Sequence, residues 1–311
     1  MKTNITSNAR ALLRALFTPL FVLAASFAAP AAARAQTFYV SNGSQTIQKV
    51  SSTGAVSLFA TLPSGSNPYG LAFDVSGNLY VAESNANQIG KITPGGAVST
   101  FVNGLGLPIG LAFDTSGNLY EMDFGTVKKI TSGGVVTTFA TLPSGSSFGG
   151  LAFDASGNLY AADTSIDQIS KISSGGAVSI FATLSGGSAP FGLAFDTGGN
   201  LYVGNRNATS QISKITSGGV VSTFATLPPN SFPGGLTFDG SGSLYTADFN
   251  TSQISMITPS GAVSTFATGI LSPEFIVLAP TPEPTSAVLL LGGGALLATR
   301  RRSRSAWGHY T

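Results

Sequence analysis

The segment Gly70-Leu71-Ala72-Phe73-Asp74 returns at 110–114, 150–154 and 192–196, and again as Gly235-Leu236-Thr237-Phe238-Asp239. The intervals are 40, 40, 42 and 43 residues. A period of this length sets the supersecondary unit before any local propensity is weighed. Each unit opens on that short apolar run. A turn such as Val75-Ser76-Gly77-Asn78 follows, where glycine supplies the positive φ of a tight hairpin. Leu79-Tyr80-Val81-Ala82 reads as a second strand, Gln88-Ile89-Gly90-Lys91-Ile92 as a third and Ala97-Val98-Ser99-Thr100-Phe101 as a fourth. Four short strands per repeat predict the blade of an all-β propeller of antiparallel blades. The inner strands are apolar at consecutive positions, as expected where both sheet faces are covered by neighbouring blades.

Complete runs of second to fourth strands begin at Leu79, Leu119, Leu159, Leu201 and Leu244, and a sixth begins at Phe38 with no first strand before it. The missing strand stands at the other end, where Ser272 to Leu278 aligns with Asn67 to Phe73. The expectation is a six-bladed ring closed by pairing the N-terminal strands with a C-terminal one, which removes the open edges that invite aggregation. The unit resembles the NHL repeat and, more loosely, the blades of gluconolactonase and regucalcin-like propellers, across residues 37–279. Its Pro-x-Gly-Leu-Ala-Phe-Asp, Gly-Asn-Leu-Tyr-Val-Ala and Gln-Ile-x-Lys-Ile segments carry that resemblance. It implies the fold, while propellers of this kind serve many functions.

Both ends read as addresses. Arg10 and Arg14 precede an apolar run from Ala15 to Ala29 that closes on Ala33-Arg34-Ala35, so residues 1–35 read as a secretory signal for signal peptidase. Residues 36–279 form the propeller and 280–311 a tail, in which Pro282-Glu283-Pro284, a short apolar segment and Arg300-Arg301-Arg302 follow in order. That order resembles the PEP-CTERM sorting signal of Gram-negative bacteria. The resemblance implies processing by an exosortase, an inner-membrane intermediate, and final residence at the cell surface or in the extracellular matrix. Residues 305–311 extend beyond the basic cluster, where such signals usually stop. Eight of the 15 basic residues lie in these ends; between Gln36 and Ala279 seven face 12 acidic ones, a balance of −5 that argues against nucleic acid as a partner. The protein is expected to be a monomer whose membrane contact is confined to the tail.

Candidate chemistry falls into rings. Asp74, Asp114, Asp154, Asp196 and Asp239 precede each first hairpin turn, where a carboxylate accepts turn N–H groups. Lys49, Lys91, Lys129, Lys171 and Lys214 recur in third strands and read as solvated positions or weak ion pairs. Asn42, Glu83, Asp123, Asp163, Asn205 and Asp248 end the second strands. They read either as caps of their own loops or as a rim of oxygen ligands for a hard cation such as calcium. Regucalcin-like enzymes hold a metal with Glu, Asn and Asp in their central cavity, but those ligands do not match this chain residue by residue. Three further features stand out. Glu121 stands where other blades carry Val, Ala or Thr, Arg206 is the sole arginine of the body, and Tyr69, Phe148 and Phe191 stand at first-strand starts, suited to stacking on a ligand or to plugging the space between blades. The body has no histidine and the chain no cysteine, which excludes a Ser-His-Asp triad or a thiolate metal site in residues 36–279. Two function classes follow, beside that of a structural filler of an extracellular matrix with no discrete ligand. One is a surface-displayed binding module for exopolysaccharide or a surface protein, and the other a metal-dependent hydrolase or lactonase using rim carboxylates.

Overall fold

A computed structural model of the chain describes residues 36–280 apart from 144 and 148. The proposed leader (1–35), the sorting elements Pro282–Pro284 and Arg300–Arg302, and the stacking candidate Phe148 lie outside the described residues. The described chain forms 24 strands in six four-stranded antiparallel sheets, with no helix. Blade one combines Thr37–Asn42, Thr46–Ser51 and Val56–Thr61 with the last strand, Pro273–Leu278. Blades two to six run in sequence from first strands at Pro68–Phe73, Gly110–Phe113, Leu151–Phe153, Pro190–Phe195 and Pro233–Phe238. The register at the closure pairs Phe38 with Leu278, Tyr39 with Val277 and Val40 with Ile276.

The ring is narrow because its innermost strands meet through glycine. First strands contact their neighbours all the way round, from Pro68–Phe73 through each blade to Pro273–Leu278 and back. Gly70 N donates to Ile109 O at 2.9 Å and Gly150 N to Phe191 O at 2.7 Å, both across a blade boundary. A Cβ at Gly192 would stand 2.1 Å from Gly234 O, so no larger residue fits there without moving a backbone. Blade one departs from this pattern, since its residue at the axial position is Phe275. That ring lies 5.3 Å from the ring of Phe191, and both share a buried cluster with Ile109. Side chains from three blades therefore fill space at the axis.

Between blades the packing repeats. Tyr80 makes edge contacts with Phe101 of its own fourth strand at 4.9 Å and with Phe113 of the next first strand at 5.1 Å. Tyr120, Tyr160 and Tyr202 do the same with Phe139 and Phe153, Phe181 and Phe195, and Phe224 and Phe238. Each edge contact adds about 0.5–1.5 kcal/mol beyond the area it buries. At the closing joint the first strand offers Leu278 where the others offer Phe, and Phe38 instead packs at 4.5 Å on Tyr245 and 5.5 Å on Phe266. The aromatic contact thus survives the seam by moving to the adjacent strand.

Gly192→Ala is expected to lower stability by about 1–3 kcal/mol through overpacking. Gly186→Ala, whose Cβ meets nothing within 4 Å, should leave it nearly unchanged. Chemical unfolding of the two variants checks this, and equal midpoints would contradict the axial packing.

Candidate functional site

On the face carrying the first hairpin turns, the aspartates close their own loops. Asp74 Oδ1 accepts the N–H groups of Ser76 and Asn78 at 2.9 and 2.8 Å, and its Oδ2 accepts Asn78 Nδ2 at 2.8 Å. Asp114 and Asp154 repeat all three bonds, Asp196 keeps the two from Asn200, and Asp239 binds the N–H groups of Ser241 and Ser243. Burial pushes Asp114, Asp154 and Asp196 upward, but these donors together hold them below the ordinary carboxylate range. The recurring lysines are more than solvated charges: Lys91, Lys129, Lys171 and Lys214 sit 5.2–5.6 Å from the ring centres of Tyr80, Tyr120, Tyr160 and Tyr202. Blade six has Met256 in the lysine's place, and burial, followed by the charge of Asp239, pushes Tyr245 up to about 12.

The six residues ending the second strands are buried, none more than 5% exposed, and each is held within its blade or by an adjoining connection. Asn42 Oδ1 accepts from the N–H and hydroxyl groups of Ser44 and Thr46. Asp163 and Asp248 accept the hydroxyls of Ser170 and Ser255, each in the next strand, at 2.6 and 2.5 Å. Asn205 Nδ2 donates to Ser213 Oγ at 2.8 Å. Glu83 replaces this Asp–Ser pair by a longer acid facing Gly90, where a Cβ would stand 2.2 Å from Glu83 Oε1; the acid instead takes Ser66 Oγ at 2.5 Å and Gln88 Nε2 at 3.0 Å. The size exchange shows that these side chains pack against the third strand. Asp163, Asn205 and Asp248 each keep one buried oxygen short of a hydrogen-bond partner. Among the described residues no three acids or histidines come together to hold a metal ion.

Two clusters break the symmetry. Arg206 pairs through Nη2 with Glu274 Oε2 at 2.9 Å, a glutamate of the closing strand rather than a neighbouring aspartate. Its guanidinium lies 4.4 Å from the Phe191 ring and 4.7 Å from the Phe249 ring. Tyr69 belongs to the same group: burial and then the Glu274 charge raise its hydroxyl pKa, with Arg206 opposing. In blade three, Lys128 Nζ touches Asp123 Oδ2 and stands 3.3 Å from Glu121 Oε1. One lysine thus serves two carboxylates. Glu121 is fully buried, and desolvation, followed by the Asp123 charge, pushes it up to about 8 against the pull of Lys128. Desolvation raises Asp248 to about 7. Sequence reasoning singled out Glu121, Arg206, Tyr69 and Phe191 but missed Lys128, Glu274 and Phe249. Lys128 was legible in principle, because it stands where Ser170, Ser213 and Ser255 stand in other blades.

The model of the virginiamycin B lyase family matches residues 107–274. A catalytically inactive histidine-to-alanine variant of virginiamycin B lyase from Staphylococcus aureus, solved with quinupristin, superimposes with TM-score 0.63 at 19% identity, covering 78% of this chain and 87% of that one. A chain of a nidogen/laminin complex gives TM-score 0.68 at 21% identity, covering 79% and 98%. A gluconolactonase from Xanthomonas campestris gives 0.59 at 16%, covering 67% and 78%. At these identities the structural likenesses establish the fold. No curated protein matches the chain.

Glu121 and Asp248 bind protons in the folded state that the unfolded chain has already released above their ordinary values of 4.5 and 3.8. Their contribution is therefore complete below about pH 4 and lost as pH rises through about 7 and 8. Thermal unfolding should show stability falling across that window. Glu121→Val, which restores the residue of blade two, should flatten the upper part of the curve; an unchanged profile would contradict the assignment.

Proposed function

The chain belongs to the virginiamycin B lyase family, and on that premise we propose that it uses the family's propeller as an exported binding module rather than as a histidine-dependent lyase. The observation that carries this reading is the lack of any histidine between residues 36 and 279; His309, near the C-terminus, is the sole histidine of the chain. The lyase from Staphylococcus aureus is catalytically inactive once a histidine is replaced by alanine. Binding would fall to the face where the second-to-third-strand loops meet the axis. There Tyr69 and Phe249 flank the Arg206–Glu274 pair, offering aromatic faces beside a guanidinium with donors left over. Sugar rings bearing acidic groups suit that combination, as does an acidic protein surface. The leader, the Pro282-Glu283-Pro284 element and the arginine cluster support export and display at the surface or in the matrix, after signal peptidase and an exosortase have acted.

The second reading is a calcium-dependent hydrolase or lactonase. It is favoured by the buried oxygens of Asp163, Asn205 and Asp248 that lack partners. The lack of any triad of acids among the described residues weighs against it.

Three measurements separate these readings. Quinupristin incubated with the purified chain should keep its chromatographic retention, and conversion to a linear product of altered retention would end the binding-module reading. Added calcium should leave the melting temperature unmoved, whereas a native-state site would raise it with concentration. On a glycan array containing uronic-acid polysaccharides, retention should fall at least tenfold in Arg206→Met; equal retention would remove Arg206 from the binding surface.

A further inference from the structure

The cluster in blade three has every part needed to form a covalent bond. We propose that Lys128 and Asp123 condense into an intramolecular isopeptide bond, with Glu121 carrying the protons. The parts come from three segments. Glu121 and Asp123 lie two apart on the strand Leu119–Asp123 and so face the same side. Lys128 pairs directly with Glu121 across the hairpin, and its Nζ reaches diagonally to touch Asp123 Oδ2. The connection between blades two and three adds Gly106, whose N–H donates to the same Oδ2 at 3.0 Å. A Cβ at residue 106 would stand 2.9 Å from that oxygen, so glycine lets the backbone donor approach.

The step balances within the cluster. Lys128 and Asp123 begin as ammonium and carboxylate, and one proton passes from Nζ to Asp123, leaving an amine beside a neutral acid. Nζ attacks Cγ of Asp123. Negative charge gathers on Oδ2, where the Gly106 N–H already points, as a donor must to stabilise a tetrahedral intermediate. Glu121, protonated in its buried site, gives its proton to the departing hydroxyl and takes one back from nitrogen. A C–N bond has formed, a C–O bond has broken and one water leaves; nothing is oxidised or reduced, and Glu121 ends as it began.

Two arguments favour this over a plain ion pair. Lys128 and Asp123 would already make an ion pair alone. Glu121 adds a fully buried carboxyl that faces Lys128 at 3.3 Å and has no other partner among the described residues, which is costly unless it has work to do. The product also removes two charges from a mostly buried place, relieving their desolvation penalty. Fixed neighbours react at effective concentrations of about 10⁵–10⁸ M, which removes much of the entropic barrier that a condensation between free molecules in water must cross. No other blade carries an amine at this position: Gln48, Gly90, Ser170, Ser213 and Ser255 stand there instead.

Peptide mapping of the full chain tests the proposal. An isopeptide at Lys128 blocks trypsin after that residue, so the chain should yield a peptide spanning 92–129 that is lighter than its sequence by one water. Fragmentation should place the link between Lys128 and Asp123. Glu121→Gln should lower the linked fraction at least tenfold while leaving the circular dichroism spectrum of the propeller intact, and Lys128→Met should abolish it. Cleavage after Lys128 at the unmodified mass overturns the proposal, as does a link to Glu121 itself or a linked fraction undiminished in Glu121→Gln.

Discussion

The structure depends on one pairing, that of Thr37–Asn42 with Pro273–Leu278. Each blade buries its faces only against its neighbours, so a ring of blades has no stable end unless the last meets the first. Backbone bonds fasten the joint, from Gly43 N to Ser272 O and from Ala279 N to Thr37 O, and Ser41 Oγ links it to the next blade by donating to Tyr69 O at 2.5 Å. The same strand brings in Glu274 and Phe275. Closure, the axial plug and the partner of Arg206 therefore come from one short stretch of chain.

The repeated contacts and the exceptions divide the work. Glycine at the axis, tyrosine and phenylalanine between blades, and the Asp-capped turn recur because each blade solves the same packing problem. The exceptions lie where blades differ: Phe275 at the axis, the Arg206 stack beside it, and the acid–lysine cluster of blade three. A site built from exceptions can be specific, whereas a sixfold ring presents six equivalent faces. Apart from Asp123, the acids and amides that end the second strands pack within the repeating framework, and in blade two Glu and Gly replace the Asp and Ser of blades four and six.

The sequence by itself determined the period, the four strands of each blade, the six blades and the chain closure. These follow from local patterns that repeat: turn glycines need positive φ, and apolar runs need cover on both faces. It also marked Glu121 and Arg206, because a residue that breaks a repeat is visible without coordinates. Only the tertiary structure decided what those residues meet. Glu274 lies 68 positions from Arg206, and Phe191 and Phe249 come from different blades, so no spacing rule joins them. Burial of the second-strand ends was likewise invisible, because an Asp that locks a strand and an Asp that lines a mouth have the same spelling. The difference lies in the serine or glycine across the sheet and in the backbone of the next blade, which become neighbours only when the ring closes.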